Sequence, residues 1–411
     1  MRIGFFCTFF PEKPPFTKTK GFGYGGADES IFDLVTQLHK RGHKITIFSI
    51  GKGTKTQYES PAEGLELFRF PVISIPLINI PISLKGFFSF KFLIQEKNYY
   101  FDVIHAKLGS PPGGEAALLY KKKFNCPMIL DIGGPQNPRW GSVIRKIIMN
   151  FYLKFIYSKV LNGCNIITIN SKEQILDDPI LRPYEEKIRF IPKGLDFNYF
   201  SNCEDTTIKN FPYINEIKSN KKIILFVGSL VELKGVHILI KAFNKIKEVY
   251  PDLILLIVGQ GRMKNELELL VKKLNLTDRV IFMGYMEKES LKKLYKIADL
   301  FVLPSMSESF PRVLLESMAA GTPCLVSDIG AHIATLGYGE VGFTAKCFDV
   351  EDFAHKINFF FSHEEKWYID ESIKSKKYAS KFSWEKTAIE VEKLYKLLTL
   401  KKIDSSEKQI L

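Results

Sequence analysis

Nowhere does the 411-residue chain run about 18 apolar residues without interruption, so no membrane-spanning helix is expected. Cysteine is scarce. Cys7, Cys126, Cys164, Cys203, Cys324 and Cys347 are scattered, with no CxxC and no His/Cys ligand spacing. That pattern argues against a disulfide framework and a zinc site, and no metal or other cofactor is expected. Cys7 and Cys324 lie in strand-like runs and are expected as buried free thiols. No secretory leader is evident: the first apolar run is short, is cut by Pro11 and lacks a small-residue cleavage site, so it reads as a first strand in a cytoplasmic protein. Acid is the minority charge, 45 Asp and Glu against 58 Lys and Arg, for a formal net charge of +13. A basic surface suits nucleic acid, anionic lipid or phosphorylated substrates, and a lysine-rich composition gives the same charge with no such partner. No basic-aromatic array carries a nucleic-acid motif, so no nucleic-acid partner is expected. The 45% hydrophobic and 25% charged content is that of a soluble globular chain, long enough for two or three domains.

Strand and helix patterns alternate. In the second half, strands are expected at 223–227, 253–258, 280–283, 300–303 and 323–326, with helices at 237–249, 262–274, 288–298 and 311–320 between them. In the first half, strands are expected at 3–6, 44–48, 103–105, 128–130, 166–169 and 188–191, and helices at 28–40 and 114–122. Between Pro71 and Tyr100 three prolines break the pattern. Repeated βα units predict an α/β protein of two Rossmann-like, doubly wound domains. The polar, aperiodic stretch 198–222 is the expected seam, giving domains 1–200 and 201–385 and a closing segment 386–411. A cleft between them, at the carboxyl ends of parallel strands, is where ligands are expected.

Gly21-Phe22-Gly23-Tyr24-Gly25-Gly26 matches the dinucleotide fingerprint GxGxxG. It does not follow its strand at once, and no acid closes the second strand, so NAD binding is rejected. Gly25 and Gly26 before a helix still offer backbone N–H groups to a donor phosphate; the alternative is a flexible loop. The strongest motif is Glu308-Ser309-Phe310-Pro311-Arg312-Val313-Leu314-Leu315-Glu316. Pro311 suits the first turn of a helix, and the amides of Phe310–Val313 would face phosphate. Carboxylates at Glu308 and Glu316 accept hydrogen bonds and suit sugar hydroxyls. The alternative is two solvated glutamates on an amphipathic helix. In Gly228-Ser229…Lys234-Gly235, Lys234 offers a point charge to a diphosphate. Gly259 and Gly261, after the next strand, let backbone and ligand approach.

These residues resemble the retaining family 4 glycosyltransferases (group 1) of GT-B fold. Gly25-Gly26-Ala27, Leu38–Ile47, Asp102–His105, Pro192-Lys193-Gly194-Leu195-Asp196, and Glu308…Glu316 with Ala319-Ala320-Gly321-Thr322-Pro323 carry the likeness. The resemblance implies that Glu308 contacts donor-sugar hydroxyls, Glu316 the ribose, and Lys234 the diphosphate leaving group. Protein cations and helix ends then stabilise that group, so no divalent metal is required. It also implies a nucleotide-sugar donor, retention of configuration, and a last helix crossing back to the first domain. Two departures stand out. Where the family often has His-x-His, this chain has His105-Ala106-Lys107: His105 serves, Lys107 substitutes as a cation, or the function is missing. His105 is otherwise a packed strand-end histidine. Where the family often has arginine, this chain has Ser229, leaving Lys234, with Arg312, to carry more of the charge. Readings from other classes are a non-catalytic sugar-nucleotide-binding subunit and an epimerase.

In 140–161 aromatic and aliphatic residues alternate with Arg145, Lys146, Lys154 and Lys159, without an acid. Such a helix suits an anionic membrane surface; the alternative is a core helix with snorkelling lysines. With Lys121-Lys122-Lys123, it points to a peripheral membrane enzyme with a lipid-linked or glycan acceptor.

Overall fold

The computed structural model describes residues 1–8, 10, 26–51, 55–71, 73–75, 80–82, 99–108, 113–134, 147, 150–204 and 221–407, with the backbone alone at 26–28, 73–75, 80–82 and 401–407. The chain forms two compact units, Met1–Gly194 with Trp384–Leu411, and Leu195–Ser383. The division falls just ahead of the polar seam because Leu195 and Phe200 are buried in the second unit's core.

The first unit is built on β1 (Arg2–Phe6), β2 (Lys44–Gly51), β3 (Gln57–Ala62), β4 (Leu65–Pro71), β7 (Val103–Leu108), β8 (Met128–Ile132), β9 (Ile166–Ile169) and β10 (Ile188–Phe190), in the order β10-β9-β8-β7-β1-β2-β4-β3. All pairs are parallel except β3 with β4. Alternation along β1 decides which face each side chain covers. Ile3 and Phe5 join a core with Ile45, Ile47 and helix α1 (Gly26–Lys40), whose Ile31, Leu34, Val35 and Leu38 form one buried stripe. Phe6 joins the opposite core with Ile104, Leu108 and helix α2 (Gly113–Phe124). Strands β3 and β4 were not expected. Their antiparallel hairpin sits at the edge of the sheet, where β3 stays half-exposed and carries no long apolar run. Arg69 of β4 is buried, its Nε donating to Glu59 Oε1 at 3.0 Å and its Nη1 to Phe10 O at 2.6 Å. Within the irregular 71–100 stretch, β5 (Ile73–Ile75) and β6 (Ile80–Ile82) pair antiparallel. A π-helical turn, Leu153–Tyr157, leads into α3 (Ser158–Gly163).

The second unit is a six-stranded, wholly parallel sheet. Its strands are β11 (Lys222–Val227), β12 (Leu253–Val258), β13 (Val280–Gly284), β14 (Leu300–Leu303), β15 (Cys324–Ser327) and β16 (Phe343–Ala345), ordered β13-β12-β11-β14-β15-β16. Continuous apolar runs such as Leu253–Val258 are buried along their whole length, as helices on both faces require. Its helices from Val236 onward are α4 (Val236–Ile246), α5 (Lys264–Lys273), α6 (Lys288–Ile297), α7 (Arg312–Ala320), α8 (Gly330–Thr335), α9 (Val350–Phe361) and α10 (Glu365–Ala379). Helix α11 (Trp384–Glu407) then belongs to the first unit, where Trp384, Ala388, Val391, Tyr395 and Leu398 are buried beside β1 and α1. No helix among the described residues is long and apolar enough to cross a membrane. Cys7, Cys126, Cys164 and Cys324 are buried free thiols.

Candidate active site

Strand order gives the second unit a candidate site. The chain winds outward from β11 to β13 on one side and from β14 to β16 on the other, so the loops after the adjacent strands β11 and β14 leave in opposite directions. That is the switch point at which open parallel sheets bind ligands. Both loops carry a predicted residue. Lys234 ends a single 3-10 turn, Glu232–Lys234, and Met306 N donates to Leu233 O at 2.8 Å, tying the loops together. Gly235 follows at φ +64°, and a Cβ there would lie 2.1 Å from Pro304 O, so only glycine lets the loops meet. Lys234 Nζ forms an ion pair with Glu308 Oε1, and Ser305 Oγ donates to the same oxygen at 2.8 Å.

Burial alone would raise the Glu308 pKa. Lys234 outweighs that, aided by His332 and the Ser305 hydroxyl, and holds the carboxyl below its ordinary value. Glu308 is therefore ionised and acceptor-only at neutral pH. Behind it, Ser327 Oγ donates to Ser305 O, and His332 Nδ1 lies 2.9 Å from Ser327 O. That contact requires the proton on Nδ1. Burial pulls His332 down to about 4 against the pull of Glu308, so the ring is neutral at pH 7. Its buried Nε2 has no hydrogen-bond partner among the described residues.

The glycine loops adjoin this pair. Leu230 N donates to Gln260 O at 2.9 Å and Met263 N to Leu230 O at 3.0 Å. Gly259 sits at φ +138°, where a Cβ would fall 1.8 Å from Gly228 O, and a Cβ on Gly261 would crowd Leu230 O at 2.3 Å. The two loops are thus in backbone contact, with Ser229 exposed on the first. Helix α7 begins at Arg312, one residue later than expected, with Pro311 as its N-cap. Ser309, Phe310, Arg312 and Val313 are half-buried around that end. Glu316 is buried inside α7, and its carboxylate accepts a hydrogen bond from Tyr295 Oη in α6 at 3.1 Å. Lys234 and Glu308 are directly paired; Glu316 is held through a different helix.

In the first unit, Gly25 lies outside the described residues and Gly26 opens α1. His105 is buried in β7, stacked on Phe5 at 4.8 Å between ring centres, with Nδ1 2.7 Å from Tyr395 Oη. Burial lowers its pKa to about 4. Lys107, also on β7, stands opposite Asp131 of β8 in the parallel register, and Nζ lies 2.8 Å from Asp131 Oδ2. Lys193 reaches the same carboxylate, 3.1 Å from Oδ1 and 2.9 Å from Oδ2. Among the described residues no group of three or more His, Cys, Asp or Glu is placed to hold a metal ion.

Family models match both halves: Glycosyltransferase Family 4 over residues 24–199 and Glycosyl transferases group 1 over residues 208–380. An uncharacterised glycosyltransferase of Methanocaldococcus jannaschii is 33% identical over 381 residues, 91% of this chain and 94% of that protein. The chain belongs to the group 1 glycosyltransferases. Among solved structures, sucrose-phosphate synthase from Thermosynechococcus elongatus matches this glycosyltransferase with a TM-score of 0.77 at 21% identity, covering 97% of this chain and 98% of that one. Anabaena HepE, in complex with UDP-glucose, matches with a TM-score of 0.71 at 18% identity, covering 97% and 100%. Both share the GT-B fold of two parallel-sheet α/β domains.

Several residues around this glycosyltransferase's candidate sites escape a sequence reading. Ser327 and His332 stand behind Ser305 and Glu308 only because β15 lies beside β14. Asp131 and Lys193 reach Lys107 only through the β7–β8 register and the return of the chain after β10. Isolated residues at strand ends give no signal until the strand order is known.

Proposed function

We propose that this glycosyltransferase moves a hexosyl group from a UDP- or GDP-sugar to a hydroxyl of a glycan or lipid-linked acceptor, with retention and without a divalent metal. The observation that carries the reading is the Lys234–Glu308 pair at the β11/β14 switch point. As the glycosidic C–O bond breaks, negative charge grows on the leaving diphosphate, and a fixed ammonium stabilises it more in the transition state than in the ground state. Glu308, kept ionised, accepts from donor-sugar hydroxyls. Glu316 accepts from the ribose, and the loops at Gly228, Ser229, Gly259 and Gly261 let backbone approach the phosphates, with Ser309–Val313 closing the far side. The first unit is read as the acceptor domain. HepE, of the same fold, was crystallised with UDP-glucose.

The deciding experiment is a thermal-shift panel of UDP-, GDP- and ADP-sugars followed by product analysis of the stabilising donor. A tight donor raises the melting temperature and, in the absence of acceptor, releases traces of free sugar. Binding without turnover favours the non-catalytic subunit, and conversion of the donor sugar favours the epimerase.

A membrane-facing role is favoured by the helical stretch before α3. Ile147, Phe151 and Phe155, spaced four residues apart, are 63%, 60% and 47% exposed. Phe151 and Phe155 pack against each other at 4.7 Å, with Lys154 Nζ 5.5 Å from the Phe155 ring. An apolar face with flanking lysines suits an anionic leaflet. F151E/F155E should then lose cosedimentation with anionic liposomes at low salt, and equal binding of variant and wild type would remove this reading.

A further inference from the structure

The Lys107–Asp131–Lys193 cluster has a charge imbalance that neither the fold nor the donor site uses. Two ammonium groups share one carboxylate, and the three side chains are only 9%, 11% and 7% exposed. A buried carboxylate is satisfied by one cation; a second leaves a net positive charge out of water, which is costly unless a partner arrives. The hydrogen-bond inventory leads to the same place. Asp131 Oδ2 receives both lysines, and Oδ1 receives Lys193 and, at 3.4 Å, Thr168 Oγ1. Each ammonium has three N–H donors, and neither lysine has another acceptor among the described residues. The spare donors and the spare charge call for one ligand group with several anionic oxygens.

Placement supports this. Lys107 and Asp131 each stand next to last on β7 and β8, at the carboxyl edge of the first sheet. The sheet winds outward from β1 on one side and from β7 on the other, so this edge adjoins the first unit's own switch point. The groups facing the cluster are Thr168 on β9, His105 on β7 and Tyr395 on α11. His105 is held neutral by burial and contributes no charge at pH 7. Nothing acidic besides Asp131 is bonded to either lysine among the described residues.

We propose that the Lys107–Asp131–Lys193 cluster is a phosphate-recognition point of the first unit, and that the acceptor of this glycosyltransferase carries a phosphate group which binds there. The second half rests on the reading of the first unit as the acceptor domain; the first half does not. Asp131 positions the two ammonium groups, and the phosphate supplies the missing charge and acceptors. Electrostatics accord with the geometry. Burial opposes ionisation of Asp131, but Lys107 and Lys193 outweigh it and hold the carboxyl far below its usual range. Lys193 is lowered to about 8, by burial first and by Lys107, against the pull of Asp131. A bound dianion would restore it.

The test is binding of inorganic phosphate to the full chain, by calorimetry and thermal shift, against chloride at equal ionic strength. Wild type should bind, K193Q should bind at least about 10-fold more weakly because it loses charge-assisted hydrogen bonds, and K193R should recover part of the affinity. K234A, altered at the donor site, should keep the Lys193-dependent part of phosphate binding. Loss of binding in K234A with retention in K193Q would place the anion at the donor site and overturn the proposal, as would no phosphate binding by wild type. If K193Q does not fold, acetylation of wild-type lysines read by mass spectrometry decides: phosphate should protect Lys193 and Lys107, and unprotected lysines refute the site. Glycerol 3-phosphate and vesicles containing phosphatidic acid separate a soluble phosphomonoester from a lipid headgroup, each scored by its dependence on Lys193. Nucleotide-sugar binding and turnover are measured in parallel. If they fail while Lys193-dependent phosphate binding persists, the transfer reading falls and the anion site stands; the converse removes only the anion site.

Discussion

Replacing Lys234 with alanine tests the donor site most directly. The change removes the cation from a pair whose lysine side chain is 23% exposed and whose glutamate side chain is 11% exposed. Breaking a fully buried pair costs about 3–5 kcal/mol. Partial exposure of Lys234 and the surviving Ser305 hydrogen bond reduce this to about 2 kcal/mol. In a unit the size of Leu195–Ser383, that lowers the melting temperature by about 4–8 °C. The loss should depend on pH in a defined direction. With Lys234 present the folded-state Glu308 pKa lies below its unfolded value, so the pair stabilises above the unfolded carboxylate pKa and is lost as pH falls through the folded one. Without Lys234, only the Ser305 hydroxyl and His332 oppose burial, and the folded pKa rises. The gap between wild type and K234A should therefore be full at pH 7, narrow as pH falls towards the unfolded carboxylate value of about 4.3, and close only below it. Differential scanning calorimetry from pH 8 down to about pH 3 measures it. Donor turnover should fall by about 10²–10³, with a smaller loss in donor affinity. A stability gap independent of pH, or equal losses in binding and rate, would refute the reasoning.

Glu316→Ala should weaken donor binding by about 1.5–3 kcal/mol, measured by calorimetry, and unchanged affinity would contradict its role. Gly259→Ala should destabilise by at least about 2 kcal/mol in chemical denaturation, since both the backbone angle and the Gly228 carbonyl oppose a side chain. His105 and His332 are both held near 4 by burial, below the free imidazole value, so each contributes stability above about pH 6.5 that is lost as pH falls towards 4, with a slope of up to about 1.4 kcal/mol per pH unit. H332Q should flatten that acid limb, and an unchanged slope would refute the assignment.

The second unit was the more legible because its strands are uninterrupted apolar runs buried on both faces, with one helix between each pair. The edge hairpin gave no such signal: β3 is half-exposed, and β4 holds an Arg69 whose burial is explained by partners such as Glu59 and Phe10. The glutamate motif, Lys234 and the glycine loops could be located along the chain, and Lys107 could be flagged as a departure. Whether Lys107 faced solvent, substrate or a counter-ion was set by register, since Asp131 stands opposite it only in the folded sheet.

The last helix, α11, has a consequence for biosynthesis. Tyr395 meets His105 across 290 residues of sequence, and Trp384, Val391 and Leu398 complete the apolar layer over β1 and α1. The amino-terminal half therefore leaves the ribosome with one wall missing, while Leu195–Ser383 can close on itself beforehand. Domains usually mature in the order of synthesis; here the first unit must wait for the segment that begins at Trp384, and a nascent chain halted before Trp384 would display an unsealed hydrocarbon surface to chaperones and proteases.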